Sequence, residues 1–443
     1  MPCRRRSAPA LPAAYRLPMP SRPESPPVVH TLANGVRSVV LPLPHLPTAA
    51  VSVFVRSGSQ HETARQNGIS HFVEHMAFKG THTRDCQRIN LDAERLGADV
   101  NAHTDKDHTA FHMQGLAEHA GPFVHMLADI VRHGSFPAAE LERERQVILQ
   151  EFAEDEDDAL STSFKLFDKL CYGDHPVARP VIGNRRNIER FSREEVLEYV
   201  QARYGARNVV VGVAGAVDPQ AVLREVEAAF GDMPAGEPNE VPPPDYRGGL
   251  AVRRVPGYSQ AHVVLGFPIP SLTEDHQAAL LGAAVFGEGM SSPLLDEIRE
   301  RRGLVYHAGC SADVAALCGQ FVVEASMAPE HLDEFFVEVM RLLRAHAESV
   351  APEALERARN QIVVRGLRAQ ERSAQRVEAA VQDLCAFGRV RSREELRDQL
   401  LTVDTEAVRQ AFGRLLGAGA SVAIAGKLPR GCEERVRARV GLR

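Results

Sequence analysis

The chain has 443 residues, 44% hydrophobic and 25% charged, with a net charge of −6 and seven cysteines. That length predicts two or more domains, the composition is that of a soluble globular protein, and the negative balance disfavours a nucleic-acid partner. No apolar run is long enough to cross a bilayer, and cysteines without a CxxC spacing read as reduced thiols in a cytosol-like compartment.

Residues 1–27, rich in Arg and Pro, lack the apolar core of a secretory signal and read as a disordered extension. "VRSVVLPL" and "AAVSVFVRSG" carry strand-like apolar patterns. "GISHFVEHMAFKGT", residues 68–81, then reads as a helix whose Ile69, Phe72, Val73 and Met76 face a core. At ~100° per residue, His71 and His75 project within ~40° of each other, away from that stripe, with Glu74 beside them. Two imidazoles at i and i+4 can share one ion, and a glutamate beside them can act on water bound to it. His-x-x-Glu-His is the inverse of the zinc-protease order His-Glu-x-x-His.

Further along, "DCQRINLDAERLGA" predicts a helix, "ADVNAHTDKDHTAFHMQGL" a strand pair, and "GPFVHMLADIVRHG" and "AAELERERQVILQEF" two more helices. Strands and flanking helices in this order predict an α+β layer with helices covering one sheet face. A Pro- and Gly-rich stretch at 232–249 reads as a linker, giving a first lobe at 28–235, a linker at 236–249 and a second lobe at 250–443.

The two lobes look alike. "LERERQVILQ" at 141–150 matches "LERARNQIVV" at 355–364, an offset of 214 that also lays "HFVEHM" on "VFGEGM". Such agreement predicts an internal duplication. The second copy has Val285, Gly289 and Arg365 where the first has His71, His75 and Glu151, so the fold does not require those histidines. Glu151, at the end of its helix, would complete a His₂Glu zinc shell, and Glu144, two turns back, could orient a ligand. Taken alone, both also read as solvated helix glutamates. A mononuclear iron site with two His and one carboxylate uses the same donor types.

"GISHFVEHMAFKGT" followed by "ERERQVILQEF", with Glu151 76 positions after His75, resembles the pitrilysin/insulinase family of inverted-motif zinc peptidases. "NGVRSVVLP", "GSQHET", "LGADVNAHTDKDHT", "DHPVARPVIGN" and "GEGMSSPLLDEIRERRGLVY" extend the resemblance over about residues 30–430, toward the bacterial processing-peptidase-like members. It implies two homologous α/β-roll lobes, each a mainly antiparallel sheet with helices on one face. It implies one Zn²⁺ per chain on His71, His75 and Glu151, with Glu74 as general base and Glu144 behind the ligands. Arg299 and Tyr306 would reach the substrate from the second lobe, and Asn101 and Ala102 would lie on the edge strand that binds extended peptides.

The activity so implied is zinc-dependent endopeptidase hydrolysis of unfolded peptides in a closed chamber. A non-catalytic or processing-complex partner subunit of the same family is the alternative. Because this chain carries both the zinc motif and the Arg-Tyr pair, an active homodimer is expected, in a bacterial cytoplasm. His103 and His108 are given no metal role. The acidic run "EFAEDEDD" at 151–158 reads as a solvated helix end that would favour basic peptides.

Overall fold

The computed structural model describes residues 25–442; the extension expected over 1–27 falls almost wholly outside them. Two sheets divide the chain. The first takes β1 (Val28–Thr31), β2 (Arg37–Pro42), β3 (Thr48–Val55), β4 (Asp99–Thr104), β5 (Thr109–Leu116) and β6 (Val209–Gly215). Its order is β1-β2-β6-β3-β5-β4, antiparallel except where β2 meets β6. Between these strands run α1 (Ile69–Ala77), α2 (Cys86–Arg95), α3 (Ala120–Arg132), α4 (Ala138–Asp157) and α5 (Ala159–Tyr172).

The second sheet takes β7 (Gly249–Arg254), β8 (Ala261–Ile269), β9 (His307–Val314), β10 (Gly319–Met327) and β11 (Ser421–Gly426), in the order β7-β11-β8-β10-β9. Only β7 and β11 run parallel. Without β1, the first sheet has the same order and the same single parallel pair, so the duplication is visible in the topology. No helix or strand spans 232–248, the stretch read as a linker.

The single offset does not carry through the repeat. Helix Pro352–Ala369 answers α4 as the alignment requires. The segment laid on "HFVEHM", however, begins in the last turn of helix Gln277–Gly287 and runs past its end, where Gly289 has φ +85°.

Each sheet keeps its own helices on one face. In the first half, α1 and α3 bury Phe72, Val73, Phe123 and Leu127 against Val51, Val53, Phe111 and Met113. The opposite face of each sheet is covered by a helix from the other half. Helix Ser373–Phe387 lays Val377, Val381 and Leu384 on Val39, Phe54 and Val210 of the first sheet. Reciprocally, α5 lays Phe167 and Cys171 on Val264, Val322 and Ala423 of the second.

Glycines permit the close approach. A Cβ on Gly212 would lie 2.6 Å from Val377 Cγ1, and one on Gly266 would lie 2.4 Å from Phe167 Cζ. Each large side chain buried in this exchange contributes about 1.5–3 kcal/mol, so the halves are held by packing and not by the linker alone.

Candidate metal centre

The start of α1 is built by tertiary contacts. Gly68 has φ +101° and backs onto Gly183, where a Cβ on Gly68 would lie 2.9 Å from the Gly183 Cα. The buried Glu62 carboxylate accepts from the backbone N–H of Gly68 and Ser70 at 2.8 Å each and from Asn67 Nδ2 at 2.9 Å. It therefore satisfies N–H groups that the helix start leaves orphaned. Burial pushes Glu62 up to about 7, and those three donors pull against it. Ser70 Oγ meets the Tyr199 hydroxyl at 2.8 Å, fixing the apolar side of the helix in the core.

With α1 so placed, His71 and His75 point away from the core toward α4. Their Nε2 atoms are 3.3 Å apart, and Glu151 Oε2 lies 3.6 Å from the first and 3.4 Å from the second. Ligands ~2.0–2.1 Å from a tetrahedral zinc are separated by ~3.3–3.4 Å, so the three donors match one face of that tetrahedron. Burial, with the neighbouring His75, holds His71 down to about 4, keeping it a neutral donor near neutral pH.

Glu144 Oε2 lies 3.2 Å from His75 Nδ1, while its Oε1 takes Lys79 Nζ at 2.8 Å. A carboxylate there fixes the tautomer that turns Nε2 toward the donor cluster. The set has the chemistry of a zinc site: two imidazoles, one carboxylate and room on the remaining side. Among the described residues it is also the one group of three or more His, Cys, Asp or Glu with donor atoms mutually close enough to hold an ion.

Glu74 faces a cavity of about 490 Å³ lined also by His71, His103, Thr104, Phe164 and Ile182. Thr104 Oγ1 donates to Glu74 Oε2 at 2.6 Å, and β4, which carries Thr104, is the free edge of the first sheet. Asn101 and Ala102 lie on that edge, where the Asn101 carboxamide oxygen accepts from the Ala102 N–H at 2.8 Å.

The structure thus gathers His71, His75, Glu74, Glu144 and Glu151. It does not bring Arg299 or Tyr306 to them. Arg299 contacts Met290 Sδ at 3.5 Å, and Tyr306 is 81% exposed ahead of β9. The acidic run is less free than expected: Lys165 pairs with Asp155 and with Glu156, Arg253 reaches Glu156 at 3.3 Å, and Asp158 caps α5 through the Leu160 N–H. In the second half, Arg365, the counterpart of Glu151, is tied to Glu288 at 2.6 Å. Glu62 and Thr104 are the contributors that sequence reasoning missed; no local pattern marks either.

Fold and site together define a two-sheet duplicated protein with an inverted His-x-x-Glu-His motif and a candidate metal-binding set in its first half. Residues 39–185 match the family model for insulinase (peptidase family M16), and residues 190–362 match the model for the peptidase M16 inactive domain. An uncharacterized zinc protease of Rickettsia bellii is 32% identical over 90% of this chain and 97% of its own length. One from Mycobacterium tuberculosis is 32% identical over 98% of this chain and 100% of its own. A crystal structure of a protease from Helicobacter pylori shares the fold with a TM-score of 0.84 at 21% identity, covering 91% of this chain and 100% of that one. The chain belongs to the insulinase family, peptidase family M16. No helix among the described residues is long and apolar enough to cross a membrane.

Proposed function

We propose that this chain is a zinc endopeptidase acting on unfolded or extended peptides. The observation that carries the reading is the His71, His75 and Glu151 triangle, with edges of 3.3 to 3.6 Å, and the Glu74 carboxylate lining the same cavity as His71. Held on those three residues, one zinc ion per chain would polarise a peptide carbonyl and acidify water. Glu74 takes the proton of the attacking water and returns it to the leaving amine, while the Thr104 hydroxyl holds its carboxylate in place. The open edge of β4 pairs with an extended substrate by strand addition, with Asn101 and Ala102 along the contact.

In this reading residues 28–235 form the catalytic lobe. Residues 250–443 form a lobe without metal ligands that presents Arg299 and Tyr306 to the substrate. Tyr306 is too exposed to serve the core, which supports a role at an interface. Two copies forming a symmetric dimer would enclose the chamber and supply both elements to each site. The intact donor set favours this reading over a non-catalytic partner subunit. To test it, wild type and Glu74→Gln are incubated with a denatured-peptide library and cuts are read by mass spectrometry. Cuts by wild type that vanish in the variant are expected; cuts that persist, or none from zinc-loaded wild type, overturn the reading.

A further inference from the structure

The β4–β5 hairpin holds a second pair of imidazoles with the geometry of the first. His103 Nε2 and His108 Nε2 lie 3.3 Å apart, the same separation as the Nε2 atoms of His71 and His75. His108 Nδ1 meets Asp107 Oδ1 at 2.6 Å, as His75 Nδ1 meets Glu144. In both pairs a carboxylate occupies one ring nitrogen and leaves the other turned toward a neighbouring imidazole. His108 is held in place: it is 5% exposed, and its ring stacks on Phe54 at 4.7 Å with 25° between planes. His103 stands on the edge strand and lines the cavity that Glu74 faces. His112 adds a third imidazole, its ring 5.7 Å from that of His103.

We propose that His103 and His108 form a second, weaker site for a divalent transition-metal ion, a two-imidazole clip distinct from the His71, His75 and Glu151 centre. Imidazole nitrogens suit zinc, copper and nickel, and the 3.3 Å spacing lets one ion bond both without moving the strand. The local charge favours a cation. The Asp107 carboxylate sits 2.6 Å from His108 Nδ1, and Asp105 stands in the same hairpin turn. The nearby Lys106 ammonium is itself taken up by Asp168 at 2.6 Å. Without metal, a hydrogen bond from one imidazole to the other closes the same gap.

Two ligands leave the remaining positions to water or substrate, so this ion is held less tightly than one with three protein donors. Occupancy would also be felt at Glu74, because Thr104, which holds its carboxylate, directly follows His103. Zinc in excess of one equivalent should therefore inhibit the peptidase activity proposed above, but the site itself does not rest on that activity.

The test is a calorimetric titration of Zn²⁺ into full-length protein already carrying one equivalent. Wild type should bind a second equivalent, and His103→Gln should weaken it by at least about tenfold while keeping the first, since one of two ligands is lost. His103→Gln leaves the buried His108–Asp107 contact in place, and a matching melting temperature shows that it folds; His108→Gln should give the same loss. A second equivalent bound equally well by both variants, or no second equivalent in wild type, overturns the proposal. If peptide hydrolysis is absent altogether, the function proposed for the first centre fails while this titration still decides the clip.

Discussion

Glu144 offers the sharpest perturbation of the first centre because it touches the donor set without belonging to it. Its two oxygens have separate duties, one 3.2 Å from His75 Nδ1 and the other 2.8 Å from Lys79 Nζ. In Glu144→Gln the amide can keep its oxygen toward His75 only by turning its NH₂ toward the Lys79 ammonium. In the other orientation His75 loses its acceptor. Either way one contact is lost and the charge assistance, which roughly doubles such a bond, disappears. Groups placed like this one typically affect metal affinity by 10- to 100-fold. Since Gln can still accept, Glu144→Gln should weaken zinc about tenfold, or about 1.4 kcal/mol, and Glu144→Ala should approach a hundredfold. Competition with a chromophoric chelator measures this, with circular dichroism confirming the fold. A folded Glu144→Ala chain whose zinc affinity stays within about twofold of wild type would refute the assignment.

Glu62→Gln should destabilise the protein by about 1–3 kcal/mol in chemical denaturation, because an NH₂ would face the N–H groups of Gly68 and Asn67 or of Ser70. Burial raises the folded Glu62 to about 7 from an ordinary 4.5, so the folded state holds the extra proton. Its contribution should fall as pH rises from about 4.5 to 7, and that slope should vanish in the variant. Mixing Glu74→Gln chains with Tyr306→Phe chains should restore hydrolysis if the two elements meet between copies; no recovery after subunit exchange would place them within one chain.

How much of this was legible in the sequence follows from the range of the forces involved. His71, Glu74 and His75 could be read because helical spacing alone puts them on one face, and the strand pairs because alternation is local. Glu151 could be nominated from its helix and its fate in the second copy, but only folding brings α4 across α1. Glu62 reaches Ser70 around a turn and Thr104 reaches Glu74 from another element, so neither follows from periodicity. The exchange of helices between halves was hidden for a related reason: the apolar faces of α5 and Ser373–Phe387 announce burial but not against which sheet. The repeat was legible in α4 and its counterpart and misleading at α1, because the segment between β8 and helix Gln277–Gly287 is shorter than that between β3 and α1 and shifts the register. Arg299 and Tyr306 rest on resemblance alone, since neither contacts the donor set.

The account stands on His71, His75 and Glu151 holding one catalytic zinc. Elemental analysis of purified wild type beside Glu151→Gln tests it most directly. One zinc per wild-type chain is expected, lost with activity on chelation and regained with both on adding zinc, against occupancy well below one in the variant, whose neutral amide is a weak ligand. Iron in place of zinc, or full zinc occupancy in Glu151→Gln, would contradict it.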